Sequence, residues 1–419
     1  MSSTVWYRRL NRLQWTILLI AWMGWVFDIM DTAIFNFAKV PMMTEMLGAE
    51  RYRQIGPRIE GQIQTWFLIG WSIGGLFFGL MADRWGRTRT LIVTILSYCL
   101  LTGLTALCRT PEQVMVARFL TALGIGGEWA AGAALVAESL PDDLRAGAAA
   151  FLQSAAAFGP VFAALANLGL AHNSWRALFV VGVFPALICV VIRSRVQEPD
   201  RRIGSEHKPS PLAMLGELFG RREQRRTTIV AMLMGIVGVT GAGIAPFWIP
   251  NLVHESSIGL AEALVRARTS QATMVLHIGT LAGVMAFPAI AERFGRKPAF
   301  LAFFACSPVV TALALVGGAN YQRLLWLMPL ASFFSIGVSA GFVLYFPEIF
   351  PSRLRATGAG LAYNVGRIIS APVPWIIGAV MGAFGGSAAA GVLIASTIYL
   401  VGLVAVPFGP ETKGKALPE

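Results

Sequence analysis

Charge is what this chain has least of: 13% of its 419 residues are Asp, Glu, Lys or Arg, where a soluble domain averages about a quarter. The remainder is 56% hydrophobic, more than one water-soluble core can use, which excludes a soluble enzyme and a disordered chain alike. Cysteine and histidine are scarce, with 4 of each. Cys99, Cys108, Cys189 and Cys306 lie in or at the ends of apolar runs, without metal-ligand spacing. Neither a metal site nor a disulfide framework is expected. The sequence has no Walker loop and no His-Glu-x-x-His, so no ATP use or zinc hydrolysis is indicated. The chain reads as a non-enzyme that needs no cofactor.

What it has instead is a series of long apolar runs, near 14–40, 61–82, 90–108, 112–138, 145–171, 175–192, 227–251, 269–291, 298–317, 322–347, 356–384 and 387–408. Each approaches the roughly 20 residues that a membrane-spanning helix needs. They are too long and too uniformly apolar for barrel strands, and too numerous for a single anchor. The fold class expected is an all-α membrane protein with twelve transmembrane helices. Arg8, Arg9 and Arg12 precede a first run that is too long for a signal peptide and lacks a small-residue cleavage site, so it reads as an uncleaved span.

The formal net charge of +12 could suggest nucleic acid. The cations, however, sit in short loops between apolar runs, so the bilayer rather than nucleic acid is the expected partner. Most of the 34 Lys and Arg residues fall on one side of the twelve-span arrangement. By the positive-inside rule both termini are then cytoplasmic and the protein sits in the cell (inner) membrane. The expected domains are a six-helix bundle over 1–193, a basic cytoplasmic linker over 194–226 with some amphipathic helix, and a second six-helix bundle over 227–419.

The two halves repeat one another. Asp83-Arg84-Trp85-Gly86-Arg87 recurs as Glu292-Arg293-Phe294-Gly295-Arg296, and Glu138…Pro141…Arg145 recurs as Glu348…Pro351…Arg355. Both recurrences are displaced by about half the chain and fall in equivalent loops, the mark of a duplicated transporter unit. An acid at a helix end, a glycine-permitted turn and arginines form a charge cluster suited to a gate that latches in one state and releases in another. Asp83, Arg84, Gly86, Arg87, Glu138, Arg145, Glu292, Arg293, Gly295, Arg296, Glu348 and Arg355 are the expected cytoplasmic gate. Gly70-x-x-x-Gly74 and Gly378-x-x-x-Gly382 read as close-packing seams.

These loops resemble the signature of the major facilitator superfamily. Gly79-Leu-Met-Ala-Asp83-Arg84-Trp-Gly86-Arg87 matches that signature, with Thr88 in its last basic position. Pro410-Glu411-Thr412-Lys413-Gly414 and Glu198-Pro199 resemble its sugar-porter and organic-acid/proton symporter branch. Gly126-Gly127-Glu128-Trp129, Pro347-Glu348…Gly358 and Tyr363-Asn364-Val-Gly366-Arg367 look most like the acid/proton symporters. Asp28 and Asp31 are similar to the paired acids of the aromatic-acid group, here with Ile29 and Met30 between them. The resemblance implies two pseudo-symmetric bundles, alternating access, a working monomer and a proton gradient as the energy source.

Ionisable groups inside a bilayer cost at least about 2.5–3.5 kcal/mol and persist when paired or useful. Asp28 and Asp31 share one face of span one. At about 1.5 Å per residue, Asp31 and Arg118 of span four reach a similar depth and can pair. Asp28 and Glu128 are close enough in depth to share a site, where two carboxylates cannot both ionise cheaply. Asp28, Asp31, Glu128 and Arg118 are the proton-coupling candidates. Arg367 lies mid-span in a stretch without an acid and suits a substrate carboxylate. Asn36, Gln153, Tyr345, Tyr363, Asn364 and His277 complete the substrate-binding candidates. Gln64 is a further polar group of the spans, and Lys39 is expected at the outer rim.

The reading is proton-coupled uptake of a small organic anion, a monocarboxylate or aromatic acid. A sugar or polyol porter and a drug or metabolite exporter remain open on the same fold, as does a non-transporting membrane sensor.

Overall fold

A run of apolar residues crossing lipid must satisfy its backbone groups within itself, and an α-helix does so. The computed structural model is helical throughout and describes residues 6–140, 142–170, 174–187, 211–351, 354–415 and 418. The side chains of Asp83, Arg87, Glu138 and Arg145 lie outside the described set, as do Cys189 and the linker before residue 211. In chain order the helices are α1 (Arg12–Leu47), α2 (Ala49–Trp85), α3 (Arg87–Thr105), α4 (Pro111–Ser139), α5 (Asp142–Leu170), α6 (Arg176–Val181), α7 (Pro211–Gly220), α8 (Arg222–Glu255), α9 (Glu262–Phe294), α10 (Arg296–Leu315), α11 (Tyr321–Ser335), α12 (Ser339–Ile349), α13 (Arg355–Ser370), α14 (Val373–Ala383), α15 (Ala388–Ser396) and α16 (Ile398–Ala405).

Nine stretches among the described residues are long and apolar enough to cross a membrane. They fall on expected spans one, three, five and seven to twelve. Spans two and four are α2 and α4; span six begins as α6 and leaves the described residues after 187. Helix starts follow the local chemistry. Asn11 and Gln14 make a reciprocal capping box at α1, with bonds of 2.8 and 3.0 Å. Thr110 caps α4 ahead of Pro111.

The segment 41–60, expected as a loop, is helical. α1 continues through Pro41 to Leu47, and α2 begins at Ala49 and runs through Pro57. Only Gly48, at φ 78°, breaks the two helices apart. Lys39, expected at the outer rim, is therefore inside a helix and has 0% exposure.

Contacts divide the chain into two units, residues 1–49 with 62–205 and residues 50–61 with 206–419. In the first unit Leu18, Phe67, Ile95, Tyr98, Ala122 and Ile125 are part of one buried core. In the second, phenylalanines dominate: Phe300 stacks on Phe342 at 5.5 Å and Phe287 meets Phe303 at 4.9 Å.

The internal repeat is visible as packing within each unit. On α2, a Cβ at Gly70 would stand 2.5 Å from the Phe119 carbonyl oxygen of α4, and one at Gly74 would stand 2.0 Å from that of Leu123. On α9, Gly279 and Gly283 meet the carbonyls of Pro329 and Phe333 on α11 at 1.9 and 2.1 Å by the same measure. Each pair is a seam where only glycine lets two backbones touch. The loop glycines match as well: Gly86 and Gly295 adopt φ 101° and 105°, a region open to glycine and strained for other residues.

Candidate functional site

Three helices bring the ionisable interior of the first unit together. α1 presents Asp28 and Asp31, α4 presents Arg118 and Glu128, and α3 presents Tyr98 and Thr102, the last two one turn apart. α4 packs against both α1 and α3, so the three sets converge.

Arg118 Nη1 donates to Asp31 Oδ2 at 2.6 Å, and Thr102 Oγ1 donates to Asp31 Oδ1 at 2.6 Å. The pair is sealed, with Arg118 at 0% and Asp31 at 2% exposure. The guanidinium carbon lies 4.4 Å from the Phe67 ring centre and 5.1 Å from that of Phe35. Two aromatic faces and a bonded carboxylate are what offset the cost of burying that cation. The sequence reading reached the Asp31–Arg118 pairing from depth alone. It missed Thr102, Phe35 and Phe67, whose residue types in an apolar span carry no distinguishing signal.

Beside this pair lies a second acidic group without such partners. Asp28 and Glu128 are buried and close enough to act on each other electrostatically. Neither oxygen of Asp28, nor Oε2 of Glu128, makes a hydrogen bond of normal geometry among the described residues. Room for Glu128 comes from Gly24, one turn before Asp28, where a Cβ would lie 1.9 Å from Glu128 Oε1. The Tyr98 hydroxyl, another group the sequence reading missed, is fully buried and faces the same two carboxylates.

The expected substrate residues do not form one set. Asn36 is buried and Gln153 half-buried in the first unit; the residue after Gln153, Ser154, accepts from the Trp22 indole at 3.0 Å. Gln64 is buried in the same unit. In the second unit Arg367 is buried on α13, its guanidinium 5.2 Å from the Tyr363 ring centre. Asn364 turns back on its own helix and donates to the Gly360 carbonyl at 2.9 Å. His277 is buried on α9, and its Nδ1 makes no hydrogen bond among the described residues.

Tyr345 was expected among the substrate groups, and the structure places it elsewhere. Its hydroxyl donates to the Pro410 carbonyl at 2.7 Å, and its ring packs 5.5 Å from that of Phe300. It anchors the chain after the last span. α12 is too short to carry it far from its neighbour Glu348.

That neighbour belongs to a charge cluster at the start of α10. Arg296 holds Glu348 with both arms of its guanidinium, at 2.7 and 3.0 Å, and Thr412 Oγ1 also bonds Glu348. The Glu411 carboxylate accepts from the backbone amides of Arg296, Lys297, Thr412 and Lys413, at 3.0, 3.0, 2.9 and 3.0 Å. It caps α10 where that helix has unpaired N–H groups. Lys297 Nζ reaches the Pro407 carbonyl and Lys413 Nζ that of Arg293. Arg355 makes a long bond of 3.4 Å to the Pro418 carbonyl. Of the expected gate residues here, Arg296 and Glu348 form the ion pair, while the Glu292 and Arg293 side chains are exposed. In the first half Arg84 is exposed; Asp83, Arg87, Glu138 and Arg145 lie outside the described side chains. Among the described residues no three His, Cys, Asp or Glu side chains gather as a metal site would require.

Helices, repeat and loop clusters agree with a family match across residues 21–374, to the Major Facilitator Superfamily. The chain belongs to the Major Facilitator Superfamily. Among its relatives is a probable 4-methylmuconolactone transporter of Cupriavidus pinatubonensis, 29% identical, covering 98% of this chain and 94% of the other. A cis,cis-muconate transport protein of Acinetobacter baylyi is 30% identical over 81% of this chain and 82% of its own. A niacin transporter of the same organism is 25% identical over 97% and 96%. A solved D-xylose–proton symporter shares the fold at TM-score 0.76 and 19% identity, covering 96% of this chain and 99% of that one. The protein is a membrane transporter of this superfamily and not an enzyme.

Proposed function

We propose that this transporter takes up a small organic anion, a monocarboxylate or aromatic acid, together with a proton, by alternating access. The observation that carries the reading is the sealed Asp31–Arg118 pair beside two further buried carboxylates, Asp28 and Glu128. So many acids inside an apolar unit are costly unless used, and a proton carrier uses them. The relatives named for muconate, methylmuconolactone and niacin favour an organic acid as cargo. Buried Arg367 is the group we assign to the substrate carboxylate, with Tyr363 beside it; Asn364 and His277 of the same unit, and Asn36 and Gln153 of the first, are the further substrate candidates. The same reading comprises twelve spans in two six-helix halves, termini in the cytoplasm, an inner-membrane location, a monomer, and the proton gradient in place of any cofactor. The Arg296–Glu348 cluster and its counterpart around Asp83–Arg87 serve as the cytoplasmic gate.

The test uses purified protein in liposomes that enclose a pH dye, with protein-free liposomes as the control for leak of the protonated acid. Niacin, cis,cis-muconate, benzoate, sialic acid and D-xylose are added in turn. Protein-dependent internal acidification with an acid supports the proposal. Acidification with xylose alone replaces it with sugar transport, and outward movement of the probes replaces it with export.

A further inference from the structure

Among the described residues the interior of the first unit holds the carboxylates of Asp28, Asp31 and Glu128 and the cations Arg118 and Lys39, and the geometry does not treat the carboxylates alike. Asp31 is saturated: one oxygen takes Arg118 and the other takes Thr102, both at 2.6 Å. The Arg118 guanidinium carbon also lies 4.4 Å from the Phe67 ring centre and 5.1 Å from that of Phe35.

Asp28 and Glu128 are in the opposite condition. They are buried, adjacent, and together leave three oxygens without a normal hydrogen bond among the described residues. The groups that face them can be named helix by helix. α1 offers Asp31, whose charge is already spent on Arg118. α4 offers Arg118, which is bonded to Asp31. α3 offers Tyr98 and its neighbour Cys99. α5 packs on α1 and has no ionisable side chain over residues 151–170. The Arg176 guanidinium of α6 is bonded to Glu45 at 2.8 Å. Among the described residues no cation is seen to act on the two acids, and two adjacent buried carboxylates without one cannot both be ionised cheaply.

A third group points at the same space. The Tyr98 hydroxyl is fully buried, has no hydrogen-bond partner of normal geometry, and lies within electrostatic reach of both acids. A phenol can donate to a carboxylate once that group is charged. Gly24 completes the site, since any side chain there would collide with Glu128.

We infer that Asp28 and Glu128 hold the coupling proton between them, with Tyr98 as the donor that steadies the pair when the proton leaves, and that Asp31 is the fixed counter-charge of Arg118. The proton passes from external water to a carboxylate oxygen of the pair and from there to internal water, with no other bond made or broken. The consequence for transport rests on the proton-symport reading; the protonation itself does not.

The experiment therefore has two arms. The first needs no substrate. Purified protein in lipid at neutral pH is examined by infrared spectroscopy for the deuterium-sensitive C=O stretch of a protonated carboxylic acid. The band is expected in the parent and is expected to vanish in Asp28→Asn/Glu128→Gln. Its absence from the parent, or its survival in the double variant, overturns the inference. So does a carboxylate band that responds to sodium in place of pH, since that would make the pair a cation site. If the double variant does not remain monodisperse, the single variants decide. Each removes half of the proton's surroundings and must move the band, and a band unmoved by both overturns the inference. Tyr98→Phe is expected to shift the pH at which the band titrates. The second arm is acid-driven uptake of the probes above, expected to fall to simple equilibration in Asp28→Asn and in Glu128→Gln. A parent that shows the band and no acid-driven uptake refutes the symport reading and leaves the shared proton standing. Acid-driven uptake without the band does the reverse.

Discussion

Glu128 Oε1 occupies the space that a side chain at residue 24 would need, 1.9 Å from where a Cβ on Gly24 would sit. One helix has given up a side chain so that another can place a carboxylate beside Asp28.

A first prediction follows from that contact. Gly24→Ala forces aside the Glu128 carboxylate, the far end of a flexible side chain, and should destabilise by about 1 kcal/mol, the low end for overpacking. It should also depress proton-driven uptake. Gly24→Ala combined with Glu128→Ala removes the collision, so the two changes should be non-additive in thermal melts. Additive effects would mean that Gly24 matters for some other reason.

The Asp31–Arg118 pair allows a charge-balance test. Asp31→Asn leaves Arg118 as a buried cation without its counter-charge and should cost about 3–5 kcal/mol. Removing both charges, as Asp31→Leu with Arg118→Met, should recover much of that stability while leaving uptake abolished. Recovery of uptake with stability would reduce the pair to a packing device. Arg118→Lys should also impair uptake, because an ammonium cannot span Phe67, Phe35 and Asp31 as the planar guanidinium does.

Glu411 makes the chain end pH-sensitive. Burial alone, the largest single influence, would raise its carboxyl, but the combined amides of Lys413, Arg296, Lys297 and Thr412 hold it below the usual range. A lowered carboxyl contributes stability that is fully present above the unfolded value of about 4.3 and is lost as pH falls through the folded value. Tryptic cleavage at Lys413 and Lys415, measured after brief acid exposure, should therefore quicken below about pH 4. Glu411→Gln should already be cleaved faster at neutral pH and show less change with acid. Equal cleavage rates at all pH values would contradict the cap.

Glu60 anchors the amino-terminal stretch of α2 within the second unit. It is fully buried, and its oxygens accept from the Tyr52 hydroxyl at 2.8 Å and from Asn251 Nδ2 at 2.9 Å. Glu60→Ala strands the Tyr52 O–H and leaves Asn251 Nδ2 only its 3.3 Å bond to that hydroxyl, and should cost about 1–3 kcal/mol for the group left unsatisfied. Arg51, Arg53 and Arg58 should then become more open to trypsin. Unchanged cleavage would show that the backbone contacts of Gly61 with Pro374 and of Gly378 with Pro57 hold the segment unaided.

How much of this was legible in advance varies by residue. The seam at Gly70 and Gly74 could be read because close helix packing demands small residues at i and i+4. The Asp31–Arg118 pairing could be read because helical rise converts position into depth. The segment 41–60 was read as a loop because its three arginines set it apart from the apolar runs, yet arginine is a good helix former and Pro41 and Pro57 both lie inside helices. Tyr345 was misread because a tyrosine in a span looks the same whether it faces substrate or a chain end. Thr102, Tyr98 and Glu60 carry no local signal, because each acquires its role from a partner far away in sequence; Glu411 stood out within Pro410–Gly414, but its capping of α10 did not.

By itself, then, the sequence determined that the chain is helical, repeats its halves, lives in lipid and keeps a few ionisable groups inside. Those properties follow from composition and periodicity, which act along the chain. Only the tertiary structure decided which acid meets which base. Asp31 and Asp28 are three residues apart on one helix, and no local rule separates them. The helix that crosses α1 gives Arg118 to one and Glu128 to the other, and that single difference in neighbour divides an ion pair from two adjacent buried carboxylates.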